Sequence, residues 1–165
     1  MAQRDIEVIL ADVKAHLVAN FNAQLLALDS EKNDGIVLRP VDSTAYHLLT
    51  LEDRVDQNDP IVLYGEADEP AIVSEGSSVA VTYRVNVWLI LAEHGNMPQD
   101  EIQKRLLRYR RALVDVFRQS WASWSGSTKM KIQASLPSPA YTDHELGWTA
   151  RAVGVRFELT NVTMK

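Results

Sequence analysis

Apolar side chains recur at steps of three and four from Ile6 through Ile9, Leu10, Val13, Leu17, Phe21, Leu25 and Leu28. This is the stripe of an amphipathic helix over about Asp5 to Leu28. Val8 and Val18 fall off that stripe, so a second flank of the helix is also apolar and can meet a neighbour. Asn33-Asp34-Gly35 stops the helix, because Gly tolerates the left-handed conformation found at helix ends. A short strand is expected from Ile36 to Val41. Tyr46, Leu48, Leu49 and Leu51 form a short helical or extended piece, and EDRVDQND before Pro60 reads as an acidic loop. Ile61 to Tyr64 has the β-branched content of a strand, Gly65 to Pro70 reads as a connection, and Glu75-Gly76-Ser77-Ser78 makes a turn.

The run VAVTYRVNVWLIL, residues 79 to 91, has two halves. Val79, Val81, Tyr83, Val85, Val87, Leu89 and Leu91 share one face. Ala80, Thr82, Arg84 and Asn86 share the other, until Trp88 and Ile90 replace them. At about 3.3 Å per residue the run reaches roughly 43 Å, the whole width of a globule about 40 Å across. One face is core throughout, and the other turns apolar halfway. Its dry half, Trp88 and Ile90, needs cover from a helix or from another subunit, and a subunit is the expectation here.

After His94-Gly95-Asn96-Met97-Pro98, a second long helix carries Ile102, Leu106, Tyr109, Leu113, Val116 and Phe117 on one stripe. Glu101 with Arg105 and Arg111 with Asp115 are favourable pairs four apart, and the helix ends near Gln119. SWASWSGST, residues 120 to 128, is a turn with two tryptophans. Met130, Ile132, Ala134 and Leu136 alternate with polar residues, as do Val153, Val155, Phe157 and Leu159, so two strands with one wet face each are expected. PSPAYTDHELG between them reads as an exposed loop. Two amphipathic helices packed on one face of a mainly antiparallel sheet, an α+β fold, is the economical arrangement.

A length of 165 residues with 46% hydrophobic content suits a single domain spanning 1–165. With no cysteine, disulfides, thiol nucleophiles and cysteine-held metals are excluded. MAQRDIEVILADVK has the flanks of neither a secretion signal nor a membrane span, so a cytoplasmic product without a membrane partner is expected. A net charge of −5 argues against general nucleic-acid binding. Charge is also segregated: residues 31 to 78 hold eleven acids against three bases, and residues 104 to 118 hold six bases against Asp115 alone. Such patches either steer copies of one molecule together or are ordinary solvated surfaces.

The sequence carries no catalytic signature. His16, His47, His94 and His144 are scattered and form no HExxH pair or zinc spacing, and GxSxG, GxxxxGK[ST] and GxGxxG are all absent. No metal, cofactor or catalytic residue is expected, and the protein is read as not an enzyme. Asp143-His144-Glu145, His94, and the acids Asp53 and Asp56 read as solvated loops, with His16 on the polar flank of the first helix. Lys104, Arg108, Arg111 and Asp115 share a helix face, where a contact with another helix or with acids is preferred to DNA because the acidic partners dilute the charge. Trp121 and Trp124 either anchor a partner or cap the helices from below.

PIVLYG, then VAVTYRVNVWLIL, then EIQKRLLRYRRALVDVF resembles the tail terminator and related neck proteins of tailed bacteriophages, by pattern and order over about Ile6 to Leu159. The resemblance implies a structural role in the virion, assembled in the host cytoplasm. Copies would form a ring, commonly hexameric, seated on the last layer of the tail tube. That ring stops tube polymerisation and meets the head-side connector or a neck protein, while DNA passes through its channel without specific binding. On this reading the contact between copies would use Trp88, Ile90, Arg105, Arg108 and Arg111 with Glu66, Asp68 and Glu69. Loops with Trp121, Trp124, Asp53 and Asp56 would meet other partners. Another neck or minor tail role, and a non-viral α+β module binding a peptide or small molecule, stay open.

Overall fold

A computed structural model describes residues 5–48, 60–93, 98–119, 128–136, 140–143 and 148–164. Helix α1 (Ile6–Lys32) buries Ile9, Val13, Leu17, Phe21, Leu25 and Leu28, the stripe read from the sequence, and runs one turn past it. It stops at Asn33, which takes φ 42° and ψ 40° and donates its N–H to the Asp29 carbonyl at 3.0 Å. Asn is among the few residues that accept this left-handed geometry. The remaining elements are β1 (Tyr46–Leu48), β2 (Ile61–Glu75), β3 (Ser78–Glu93), α2 (Gln99–Gln119), β4 (Thr128–Leu136), β5 (Ala140–Asp143) and β6 (Trp148–Met164).

The strands form one sheet in the order β1-β2-β3-β6-β4, with β5 also on β6. Only β1 and β2 are parallel, and every other pairing is antiparallel. The architecture is therefore the expected α+β one. Buried residues of both helices form one core with Val81, Tyr83, Val85, Val87, Leu89, Leu91, Val153, Val155, Phe157 and Leu159. At its centre the rings of Phe117 and Phe157 lie 4.1 Å apart. Burying each such large apolar side chain contributes about 1.5–3 kcal/mol.

Three local expectations are corrected. Ile36 to Val41 is not a strand, because its backbone groups are taken by side chains of the two helices. Asp29 accepts the Leu38 N–H at 2.9 Å, and the Asn22 amide both accepts from and donates to the Val41 backbone at 2.9 Å. The buried Tyr109 hydroxyl accepts the Arg39 N–H at 2.8 Å and donates to the Arg39 carbonyl at 3.0 Å. Pro40 has no N–H to offer a ladder.

Next, Gly65 to Pro70 is no connection: β2 continues through it to Glu75. Register shifts between Glu66 and Asp68 and between Asp68 and Ala71 carry the strand past Pro70, a residue that edge strands and bulges tolerate. A two-residue turn, Gly76-Ser77, then leads into β3, with Gly76 at the positive φ of 56° that such tight hairpins need. Last, Ala140 to Asp143 within PSPAYTDHELG form a strand rather than a loop, and the rest of that stretch lies outside the described residues. β5 continues along the edge of β6 already occupied by β4, with Ala140 opposite Arg151 and Asp143 opposite Trp148.

The face of β3 away from the helices answers the question its pattern raises. Ile61, Leu63, Ile90, Ala150 and Ala152 form a second buried cluster with no helical residue in it, and half-buried Trp88 packs against it. Ile90 is 4% exposed within the single chain. The expectation that this flank waits for a helix or another subunit is thus corrected for Ile90. Gly154 stands opposite Trp88, and a Cβ placed on it would meet the indole Cε3 at 2.6 Å.

Two stability predictions follow from this packing. Gly154→Ala is expected to cost about 1–3 kcal/mol in urea unfolding through overpacking, and little when Trp88→Ala is already present. Tyr109→Phe is expected to cost about 1–2 kcal/mol by leaving the Arg39 backbone without its partner, with the circular dichroism spectrum unchanged.

Candidate functional site

The basic stripe of α2 turns mostly to its own chain. Arg105 is held by Glu101 one turn back, at 2.7 and 3.1 Å. The Arg108 side chain is 9% exposed, ion-paired with Asp34 and donating to the Ile36 carbonyl at 3.1 Å. Arg111 grips Glu31 with both fork nitrogens, at 2.9 and 2.8 Å, while its Nε reaches Asp115 at 3.3 Å. These links strap α2 to the end of α1 and to the segment after it. Arg108 is an internal strut, which corrects its placement at a contact between copies. Arg105 and Arg111 stay partly accessible, with internal partners.

Glu66 and Glu69 are exposed on β2, and neither is brought to the α2 arginines. Asp68 lies between two guanidinium groups that the sequence did not single out, 3.8 Å from Arg84 and 3.7 Å from Arg156. Arg84 also meets Glu158 at 3.3 Å, and Arg156 donates to the Asn86 side chain at 3.0 Å. Thr82 and Thr160 share a hydrogen bond at 2.9 Å. The polar half of the outer sheet face is thus made of cross-strand pairs. Residues directly opposite on adjacent strands share a face, and the register sets four charges in one row: Asp68 opposite Arg84, Arg84 opposite Glu158, Glu158 opposite Lys131. The alternation of Thr82, Arg84 and Asn86 and of Arg156, Glu158 and Thr160 marks both wet faces in the sequence. Only the register shows who meets whom.

Two strand edges are open among the described residues. β1 covers β2 only from Val62 to Tyr64, so no strand lies outside Glu66 to Val73. On the opposite side of the sheet, β4 is flanked by β6 alone. The β2 arm is bare on both faces, with Ile72 65% and Val73 52% exposed. Val8, Val18 and Leu26 on α1 are further exposed apolar side chains. His16, expected on a polar flank, is half-buried: its ring lies 5.5 Å from that of Phe117 and its Nε2 is 3.2 Å from the Val116 carbonyl. Trp121, Trp124, Asp53, Asp56, His94 and His144 lie outside the described residues.

Among the described residues, no group of three His, Asp or Glu is placed to hold a metal, and no helix is long and apolar enough to cross a membrane. No protein-family model matches the chain, and no curated protein matches it. Among solved structures, a chain of the virion of a native gene transfer agent particle is similar at 12% identity and a TM-score of 0.38, over 88% of this chain and 95% of that one. A likeness at that score carries no functional argument.

The straps give a pH dependence. The Arg111 guanidinium, with Lys32 beside it, pulls the Glu31 carboxyl from 4.5 to about 2. The hydrogen bond from Arg108, with the Ile36 N–H, lowers Asp34 as well. Both carboxylates bind protons less readily when folded, so each adds stability at neutral pH that is lost on acidification; the Glu31 contribution is whole above about pH 4.5 and is lost as the pH falls toward about 2. Urea midpoints measured across that window should fall, and Glu31→Gln should flatten the fall. High salt should weaken the Glu31 contribution because the pair is exposed.

Proposed function

We propose that this chain is a structural protein of a tailed, phage-like virion. Copies would form a closed ring at the end of the tail tube, terminate tube growth and join the tail to the head-side connector. One observation carries the ring: among the described residues the sheet has two open edges of different character, one on the β2 arm and one on β4. A contact between unlike surfaces repeats head to tail, and it closes into a ring when the rotation between copies allows. The resemblance of the sequence pattern to tail terminators and neck proteins supports the location. In this reading the partners are further copies, the tail tube protein and a neck protein, and DNA passes through the opening. A chain of net charge −5 suits a passage that does not hold phosphates.

Particles assembled without this protein, viewed by electron microscopy, test the proposal. Tubes of uncontrolled length and heads without tails are the expected outcome, with labelled protein at the head-proximal tube end in complete particles. Tails of normal length joined to heads in its absence would overturn the proposal, and label at the distal tip would reassign it to a minor tail role.

A further inference from the structure

The outer-face row of charges is unfinished at both ends. It runs Lys131, Glu158, Arg84, Asp68 across β4, β6, β3 and β2, alternating in sign at each strand. It ends on an exposed lysine at one open edge and an exposed aspartate at the other. We infer that successive copies join edge to edge, the β2 arm of one protomer pairing with β4 of the next, so that Asp68 meets Lys131 of the neighbouring copy and the alternation continues across the joint. This rests on the ring reading and says which surfaces build it.

Several observations agree. Strand direction is right: β2 and β6 run one way and β3 and β4 the other, so a β4 set beside β2 in the same sheet orientation is antiparallel. Level is right as well. Thr128 stands level with Ile72 through Asn161 and Val81, and Ile132 with Glu66 through Phe157 and Val85. The open part of β2 and the first half of β4 therefore occupy the same height in the sheet. Charge is complementary: residues 66 to 75 hold four acids and no base, and residues 128 to 136 hold two lysines and no acid. Ile72 and Val73, neighbours in sequence and therefore on opposite faces, are both exposed, as expected of an arm whose faces are covered only after it is paired. A second copy supplies a matching edge, direction, height and charge together.

Lys131 and Asp68 of one chain are separated by three strand spacings, about 14 Å, beyond the reach of a disulfide. The chain has no native cysteine, so a disulfide in Asp68→Cys/Lys131→Cys protein must link two copies. Mild oxidation should give a ladder of covalent oligomers ending at the ring size. In parallel, Asp68→Lys and Lys131→Glu should each lower the assembled fraction seen by native mass spectrometry roughly tenfold, since each sets like charges opposite across the joint. The double exchange Asp68→Lys/Lys131→Glu should restore it. Lys131→Glu lies on an exposed edge, and its circular dichroism should match that of the unaltered chain. If the unaltered protein assembles, alone or on isolated tail tubes, yet neither exchange weakens assembly and no ladder forms, the joint is overturned and the ring stands. If the unaltered protein assembles under neither condition, the ring reading fails and the joint with it.

Discussion

The pairing of β3 with β6 fixes almost everything else in this protein. It runs unbroken from Ser78 opposite Met164 to Glu93 opposite Thr149, and every other strand except β1 is laid against one of these two. Because side chains alternate along each strand, this one register decides which residues face the helices and which face away. It brings Phe157 under Phe117 and Gly154 under Trp88, and it sets Glu158 beside Arg84. A slip of one residue would send Val85, Val87 and Leu89 outward and exchange the core for the charged row.

The helices were legible in the sequence because their apolar stripes are long and regular, and a core of this size leaves them one way to pack. The segment from Ile36 to Val41 was not, although its composition is that of a strand. Propensity favours an extended backbone there and cannot say what bonds it. Asn22, Asp29 and Tyr109 answer that from positions far along the chain. The extension of β2 was hidden for a related reason. Pro70 and the acids around it read as a break, yet an edge strand with bulges accommodates both without losing its partner.

The charged surfaces were legible as residues and illegible as pairs. The α2 arginines form an exposed-looking stripe at helical spacing, but the end of α1 brings Glu31 and the turn after it brings Asp34 onto that stripe, and a local pattern does not contain that approach. Conversely, Arg84, Glu158, Lys131 and Arg156 are unremarkable one at a time. Their meaning lies in sharing levels with one another and with Asp68 across four strands, which depends on registers that alternation alone leaves undetermined by any even shift. Trp88 and Ile90 show the same limit: their apolar character was plain, whereas the cluster of Ile61, Leu63, Ala150 and Ala152 beside them comes from two other stretches of the chain.

The register shifts in β2 bear on geometry beyond the protomer. Bulges bend a strand and increase its local twist, and here two of them lie close together, around Asp68. In an assembly joined along that strand, they would set the angle between one sheet and the next. The number of protomers that closes a circle is fixed by that angle, so a few residues of irregular backbone would act as the gauge of its diameter.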